Sequence, residues 1–290
     1  MRTNTTERSQ ILFMSPGYIT ILLLIAGLVY TVYMSFYQYQ LGTGVANWIG
    51  DTNYINLMHD QIFRRAVLNT VIFVAAAASL EIGYGTILAL ALYWSSFGKV
   101  LIPLLIVPML LPGVNLVVLW RFLFTPNMGL LSQATTALGL PIFDPLQNTS
   151  LALWMIILMG MWQNSPLVML IFYSAFSSIP PEIIKAAKID GAGKLELARH
   201  IMLPAIRNVI LVILLIKLID AFRIFEKVYL LTQGGPGIAT QTIQLQIYTR
   251  GVFPLAIGFG SAMSVILVLL SMVVIIPYIY FTVRIWRRPS

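Results

Sequence analysis

The chain has 290 residues, 59% of them hydrophobic and only 10% charged, with a formal charge of +8 and no cysteine. Soluble domains carry about 25% charged residues, so the composition describes an integral membrane protein and excludes disulfides and thiolate metal sites. The positive charge does not mark a nucleic-acid binder, because the basic residues flank apolar runs and form no stripe.

Arg2 and Arg8 precede an apolar run over about 11–36. The run is too long for a signal-peptide core and no small-residue cleavage site follows, so it reads as an uncleaved first span behind a short N-terminus, 1–10. A polar segment from Tyr39 to Arg65 comes next. Further spans are expected at about 66–94, 100–124, 150–176, 205–231 and 258–283, the last running into Arg284, Arg287 and Arg288. Pro103, Pro108, Pro112 and Gly113 interrupt the third span, Pro166 the fourth and Pro277 the sixth. Such breaks are tolerated where neighbouring helices or cavity water satisfy the freed carbonyls, and they serve packing or a hinge equally well. The expected fold is all-α, a polytopic membrane protein with six transmembrane helices in a single transmembrane domain over 11–290. His59 and His200 lie far apart without ligand spacing, so no metal site is expected.

Six spans put both termini on one side. That side, with its loops, holds Arg2, Arg8, Lys99, Lys185, Lys188, Lys194, Arg199, Arg207, Arg284, Arg287 and Arg288, against Arg64, Arg65, Arg121 and Arg250 on the other. The positive-inside rule therefore places both termini and the 177–204 loop in the cytoplasm.

That loop concentrates charge, helix punctuation and small residues. Pro181 suits a first helical position and Glu182 complements a positive helix start. Ile183, Ile184, Ala186, Ala187 and Ile189 give the short helix an apolar face, while Lys185 and Lys188 point elsewhere. Asp190-Gly191 reads as a turn or C-cap. A second short helix is expected from about Gly193 to His200, and Pro204 precedes the next apolar run. A basic amphipathic helix lying on the membrane surface would explain the lysines and isoleucines. It would leave the spacing of Ala186-Ala187, Asp190-Gly191-Ala192 and Leu203-Pro204 unexplained.

The fifth span carries Lys217, Asp220, Arg223, Glu226 and Lys227 at three- and four-residue steps, which in one helix makes Lys217 a neighbour of Asp220, and Arg223 of Glu226 or Lys227. Counted from Pro204, Asp220 sits roughly 24 Å along the helix axis, in the outer half of the bilayer. Ionisable groups there should face protein or a water-filled cavity. Glu81 and Tyr84, Asn115, and Gln163 and Asn164 could line the same cavity; each could instead bond a neighbouring helix. The basic residues would favour an anionic solute unless the internal acids neutralise them.

Three stretches carry a resemblance. The 177–204 loop resembles that of permease subunits of binding-protein-dependent ABC importers, especially the carbohydrate-uptake branch: Ala186, Ala187, Gly191, Ile201, Leu203 and Pro204 fall on its Glu-Ala-Ala…Gly…Leu-Pro pattern, and Ile189-Asp190-Gly191-Ala192 matches the sugar form. Lys185 stands where that family usually has Glu. Trp48-Ile49-Gly50 with Asn53-Tyr54 resembles the segment before the family's second span. Ala221 to Glu226 and Leu231-Thr232 to Gly234-Gly235-Pro236 resemble its fifth-span end, with Gln233 in place of the first Gly.

The resemblance implies a pore-forming subunit, not an enzyme, that passes a sugar or sugar derivative inward by alternating access. It implies a second homologous permease, two ATPase subunits carrying ATP and Mg, and an extracytoplasmic solute-binding protein. The setting implied is the lipid bilayer of a prokaryotic cytoplasmic (inner) membrane. In the family the loop is the coupling helix that docks on the ATPase, which gives roles to Glu182, Lys185, Ala186, Ala187, Asp190, Gly191, Ala192, Leu203 and Pro204. The sequence has no nucleotide cradle of its own, since Gly191-Ala192-Gly193-Lys194 lacks the earlier Gly and the following Ser or Thr of a phosphate loop. No cofactor is therefore expected on this chain. Two alternatives are a secondary transporter driven by an ion gradient, with Asp220 and Glu226 carrying protons, and an ABC permease for a non-sugar solute. An intramembrane enzyme lacks its motifs here, with no His-Glu-x-x-His or Gly-x-Ser-x-Gly.

Overall fold

The computed structural model describes residues 3–42, 44–139, 141 and 144–286. Arg2, Arg287 and Arg288, counted above for sidedness, lie outside these residues, as do the side chains of Arg8 and Lys99.

The backbone is helical almost throughout. In chain order come α1 (Thr3–Met34), strands β1 (Tyr37–Tyr39) and β2 (Ala46–Trp48), α2 (Thr52–His59) and α3 (Gln61–Trp94). Then follow α4 (Gly98–Leu110), α5 (Gly113–Phe124), α6 (Leu130–Ala137) and α7 (Ala152–Ser177). Next are α8 (Pro181–Ile189), α9 (Lys194–Leu197), a π-helical turn at Ala198–Met202 and α10 (Leu203–Ala205). Last come α11 (Arg207–Phe222), α12 (Glu226–Leu231), α13 (Ile243–Gln246), a π-helical turn at Ile247–Val252 and α14 (Ile257–Trp286).

Among the described residues, α1 from Met14, α3, α7 and α14 are each long and apolar enough to cross a membrane. Two bent pairs bring the number to six: α4 with α5 at 93°, and the Lys194–Ala205 segment with α11 at 75°. The third expected span is therefore no straight rod. Pro112 denies the helical conformation to Leu111, which takes ψ 128°, and α5 starts afresh at Gly113. The fifth is interrupted too. α11 ends at Phe222, and Arg223 to Phe225 leave the helix before α12 begins at Glu226.

The chain divides into two compact units. One is the chain up to Asp60 with Gln246–Leu269, the other Gln61–Leu245 with the chain from Leu270 on. In the first, β1 and β2 pair antiparallel, with Tyr37 opposite Trp48 and Tyr39 opposite Ala46. This small hairpin is the only strand pairing among the described residues. Its closure explains the Gly50-x-x-Asn53-Tyr54 stretch. The Asn53 amide donates to the carbonyls of Ser35 and Tyr37, at 2.9 and 3.1 Å, and the Tyr54 hydroxyl donates to Ser35 Oγ at 2.6 Å. Arg250 pairs with Asp60 in the same unit.

The second unit is built on α3 and α7. Gly85 lets them touch: a Cβ there would lie 2.6 Å from Val168 Cβ and 3.0 Å from the Ser165 carbonyl, the close approach small residues permit between membrane helices. Toward the 177–204 loop the packing is wholly apolar. Leu92 of α3, Phe172 and Phe176 of α7, Ile184 of α8, Met202, Ile206 and Ile213 of α11 form one buried cluster. Lys194 adds a contact, its ammonium lying 5.9 Å from the Trp94 ring centre.

Candidate functional site

Halfway along α3, the apolar face is broken by Glu81. Its carboxylate is buried and held at both oxygens: Lys217 Nζ lies 3.1 Å from Oε2, and the Asn164 amide donates to Oε1 at 2.8 Å. Lys217 also donates to the Asn164 backbone carbonyl at 3.3 Å. Three helices, α3, α7 and α11, are thus joined by one satisfied polar cluster. A charge in a membrane interior is stable only in such company. Lys217 therefore pairs across helices with Glu81, not along its own helix with Asp220. The reason is the low-dielectric interior, where a buried partner is worth far more than a solvated neighbour. The expected Arg223 pairs with Glu226 or Lys227 also fail as helical neighbours, because the helix stops at Phe222.

Beside this cluster lies a cavity of about 170 Å³. Of the sequence-predicted pathway residues, Glu81, Asn164, Asp220, Arg223 and Glu226 line it, together with Lys217, Lys227, Phe73 and Phe225. The other three lie elsewhere. The Gln163 amide donates to the Leu111 carbonyl at 3.1 Å, capping the bend before Pro112. Tyr84 faces a separate cavity of about 250 Å³ with Pro108, Trp162 and Pro166. Asn115 is exposed on α5.

Three positions escape a sequence reading as members of these polar clusters. Lys217 and Lys227 were visible as charges in an apolar run, but only the bundle pairs Lys217 with Glu81 and sets Lys227 at the same cavity. Asn69, buried in α3, donates to the carbonyls of Ala239 and Gln241, both at 2.9 Å, and so anchors the Gly-Gly-Pro turn. Thr240 Oγ1 donates to the Gly235 carbonyl at 2.8 Å within that turn. Next to it, Arg121, Asp144, Gln147 and Gln233 border a cavity of about 430 Å³. Gln233 itself holds φ +52°, a conformation that favours the Gly it replaces.

At the other end, the 177–204 loop forms the two expected short helices, the second passing through the π-helical turn. In α8 only Ile184 is buried, with Ala187 half-buried, so its apolar face is narrower than the pattern indicated. Ile183 is exposed and Ile189 is 86% exposed. Successive 100° steps put Glu182, Lys185, Ala186 and Ile189 on the side away from Ile184, and all four are exposed. Asp190 caps the helix and Gly191 takes φ +87°, with Ala192 N–H bonded to the Ala187 carbonyl at 3.0 Å, a Schellman-type end. Gly193 N–H then meets Glu196 at 2.8 Å and starts α9. Leu203 is half-buried and Pro204 exposed where the chain turns into α11. Gly191 to Lys194 is a helix end followed by a helix start, with no strand feeding it as a phosphate loop requires.

A family model described as "Binding-protein-dependent transport system inner membrane component" matches residues 81–287, from the clamp carboxylate through the whole 177–204 loop. The chain belongs to this family. The permease is 28% identical to the probable ABC transporter permease protein YurN of Bacillus subtilis (strain 168), over 90% of this chain and 91% of that one. It is 33% identical to the sn-glycerol-3-phosphate transport system permease protein UgpA of Yersinia pseudotuberculosis serotype I (strain IP32953), over 78% and 77%. A crystal structure of a bacterial alginate ABC transporter, in complex with alginate pentasaccharide-bound periplasmic protein, matches its fold with a TM-score of 0.86 over 99% of each chain, at 21% identity. The permease is accordingly a multi-pass, pore-forming membrane subunit of an ABC importer and not an enzyme.

Proposed function

We propose that this permease passes a sugar or sugar derivative inward by alternating access, and that the cavity bordered by Glu81, Asn164, Asp220, Arg223 and Glu226 lies on the path. The observation that carries the reading is one of connection. The 177–204 loop joins α7 to α11, and those two helices reach the polar cluster through Asn164 and Lys217. A displacement of the loop therefore bears directly on the cavity walls. The glycerol-phosphate and alginate systems named above support a carbohydrate-type cargo.

In this reading the exposed side of α8 docks on an ATPase subunit, two of which bind ATP and Mg. A second homologous permease completes the pore and an extracytoplasmic binding protein delivers the solute. Residues 11–290 act as one transmembrane domain of a prokaryotic inner membrane, with both termini and the loop in the cytoplasm. An ion-driven carrier is not favoured by the family.

The test is mild-detergent purification of the tagged chain from its native host, with every co-purifying chain identified and uptake measured in vesicles. Recovery of a second permease and an ATPase, with uptake that requires ATP, is the expected result. A chain isolated alone that transports without ATP would overturn the reading.

A further inference from the structure

The cavity beside Glu81 is bordered by three acids, Glu81, Asp220 and Glu226, and three bases, Lys217, Arg223 and Lys227. By count it is neutral. By geometry it is not. Both oxygens of Glu81 are occupied by Lys217 and Asn164. The Glu226 carboxylate turns to the start of α5, where it fills the space a Cβ on Gly113 would need, beside the positive end of that helix. Asp220 and Arg223 are both exposed, three residues apart at the end of α11, where water screens them. Lys227 remains. Its ammonium would lie 3.6 Å from a Cβ on Gly160 of α7, and Glu81 Oε1 reaches the same point only at 4.0 Å. Among the described residues it makes neither a hydrogen bond nor an ion pair within 4.0 Å.

We infer that the solute carries an oxyanion group, a carboxylate, phosphate or sulfate, and that Lys227 receives it. This rests on the reading that the cavity lies on the solute path. Lys227 is half-buried, and Glu81 and Glu226 attract it only from beyond ion-pair distance, so its charge is under-compensated until an anion arrives. Uptake of an acidic group completes the charge pattern, whereas a neutral sugar would leave Lys227 as it was. At about 170 Å³ the cavity suits one sugar unit with its acidic substituent, well below the 300–1,000 Å³ of drug-sized sites.

The experiment uses the purified permease–ATPase complex and brief acetylation of amines, with modification at Lys227 and Lys217 read by mass spectrometry. Glucuronate and glucose 6-phosphate are the anionic probes and glucose the neutral one. The expected result is that one or both anionic probes lower Lys227 acetylation about threefold or more, on the order of 0.7 kcal/mol of selective occupancy, and that glucose does not. Which of the two protects separates a carboxylate from a phosphate site. Equal protection by glucose, or none by either anion, overturns the inference. In vesicles, Lys227→Gln should raise KM for the solute carried by the binding protein about tenfold, with Lys227→Arg restoring it to within about threefold of the native value. Unchanged KM in Lys227→Gln also overturns it. The acetylation result is read on the native complex and stands even where a variant fails to assemble. ATP-independent uptake would instead overturn the importer reading, leaving the site assignment to the protection data.

Discussion

Around Asn164, α7 meets α3 and α11 through hydrogen bonds and an ion pair; around Phe172 and Phe176, a few turns further on, it meets the same helices through apolar side chains alone. The two contacts respond differently to a push. Apolar packing is non-directional and gains about the same from many nearby arrangements, so helices can slide there. The clamp at Glu81 has one geometry in which every polar atom is satisfied, and leaving it exposes a buried charge. The apolar cluster beside the 177–204 loop is suited to transmitting the motion of the loop, and the clamp to making its consequence discrete.

Breaking the clamp should have the largest effect. Lys217→Ala leaves Glu81 buried and unpaired, a loss of about 3–5 kcal/mol. It should abolish recovery of assembled complex in detergent. The double variant Glu81→Gln with Lys217→Met should recover assembly but not normal uptake. If the single variant assembles as well as the native protein, the clamp is not what holds the three helices.

Weakening the apolar end comes next. Ile184→Ala removes the one buried anchor of α8 and should destabilise by about 2–5 kcal/mol, lowering solute moved per ATP. Gly191→Val places a β-branched residue at φ +87°, a strain of about 1–2 kcal/mol. ATP hydrolysis should persist while uptake falls, and normal coupled uptake would argue against the docking role of the loop.

Exposed charges should give the smallest changes in stability, within about 0.5 kcal/mol, and so report on function alone. Lys185→Glu should reduce ATPase association if the socket presents an acid, measured by co-purification. Asp220→Asn should slow uptake severalfold with assembly intact; unchanged kinetics would remove Asp220 from the path.

Local chemistry was legible in advance where it acts over a few residues. Pro181, Asp190 and Gly191 mark the ends of α8, and the helix starts and stops where they stand. Hydropathy located the apolar stretches, because crossing lipid demands long runs whatever the fold. The break at 223–225 was not legible. It contains neither Pro nor Gly, and the five charges around it fit a continuous helix as well as an interrupted one. The Gly50-x-x-Asn53-Tyr54 stretch was seen as a resemblance, but its role as the closure of a hairpin was not.

What the sequence by itself determined is the class of molecule, the position of its apolar helices and the form of its central loop, since these follow from composition and from interactions a few residues long. Which charges meet was decided by tertiary structure. Glu81, Asn164 and Lys217 are 83 and 53 residues apart along the chain, and in a low-dielectric interior the partner that arrives from another helix outweighs the neighbour on one's own. That same packing left Lys227 beside the cluster with no carboxylate within ion-pair distance, a fact that counting charges along the sequence conceals.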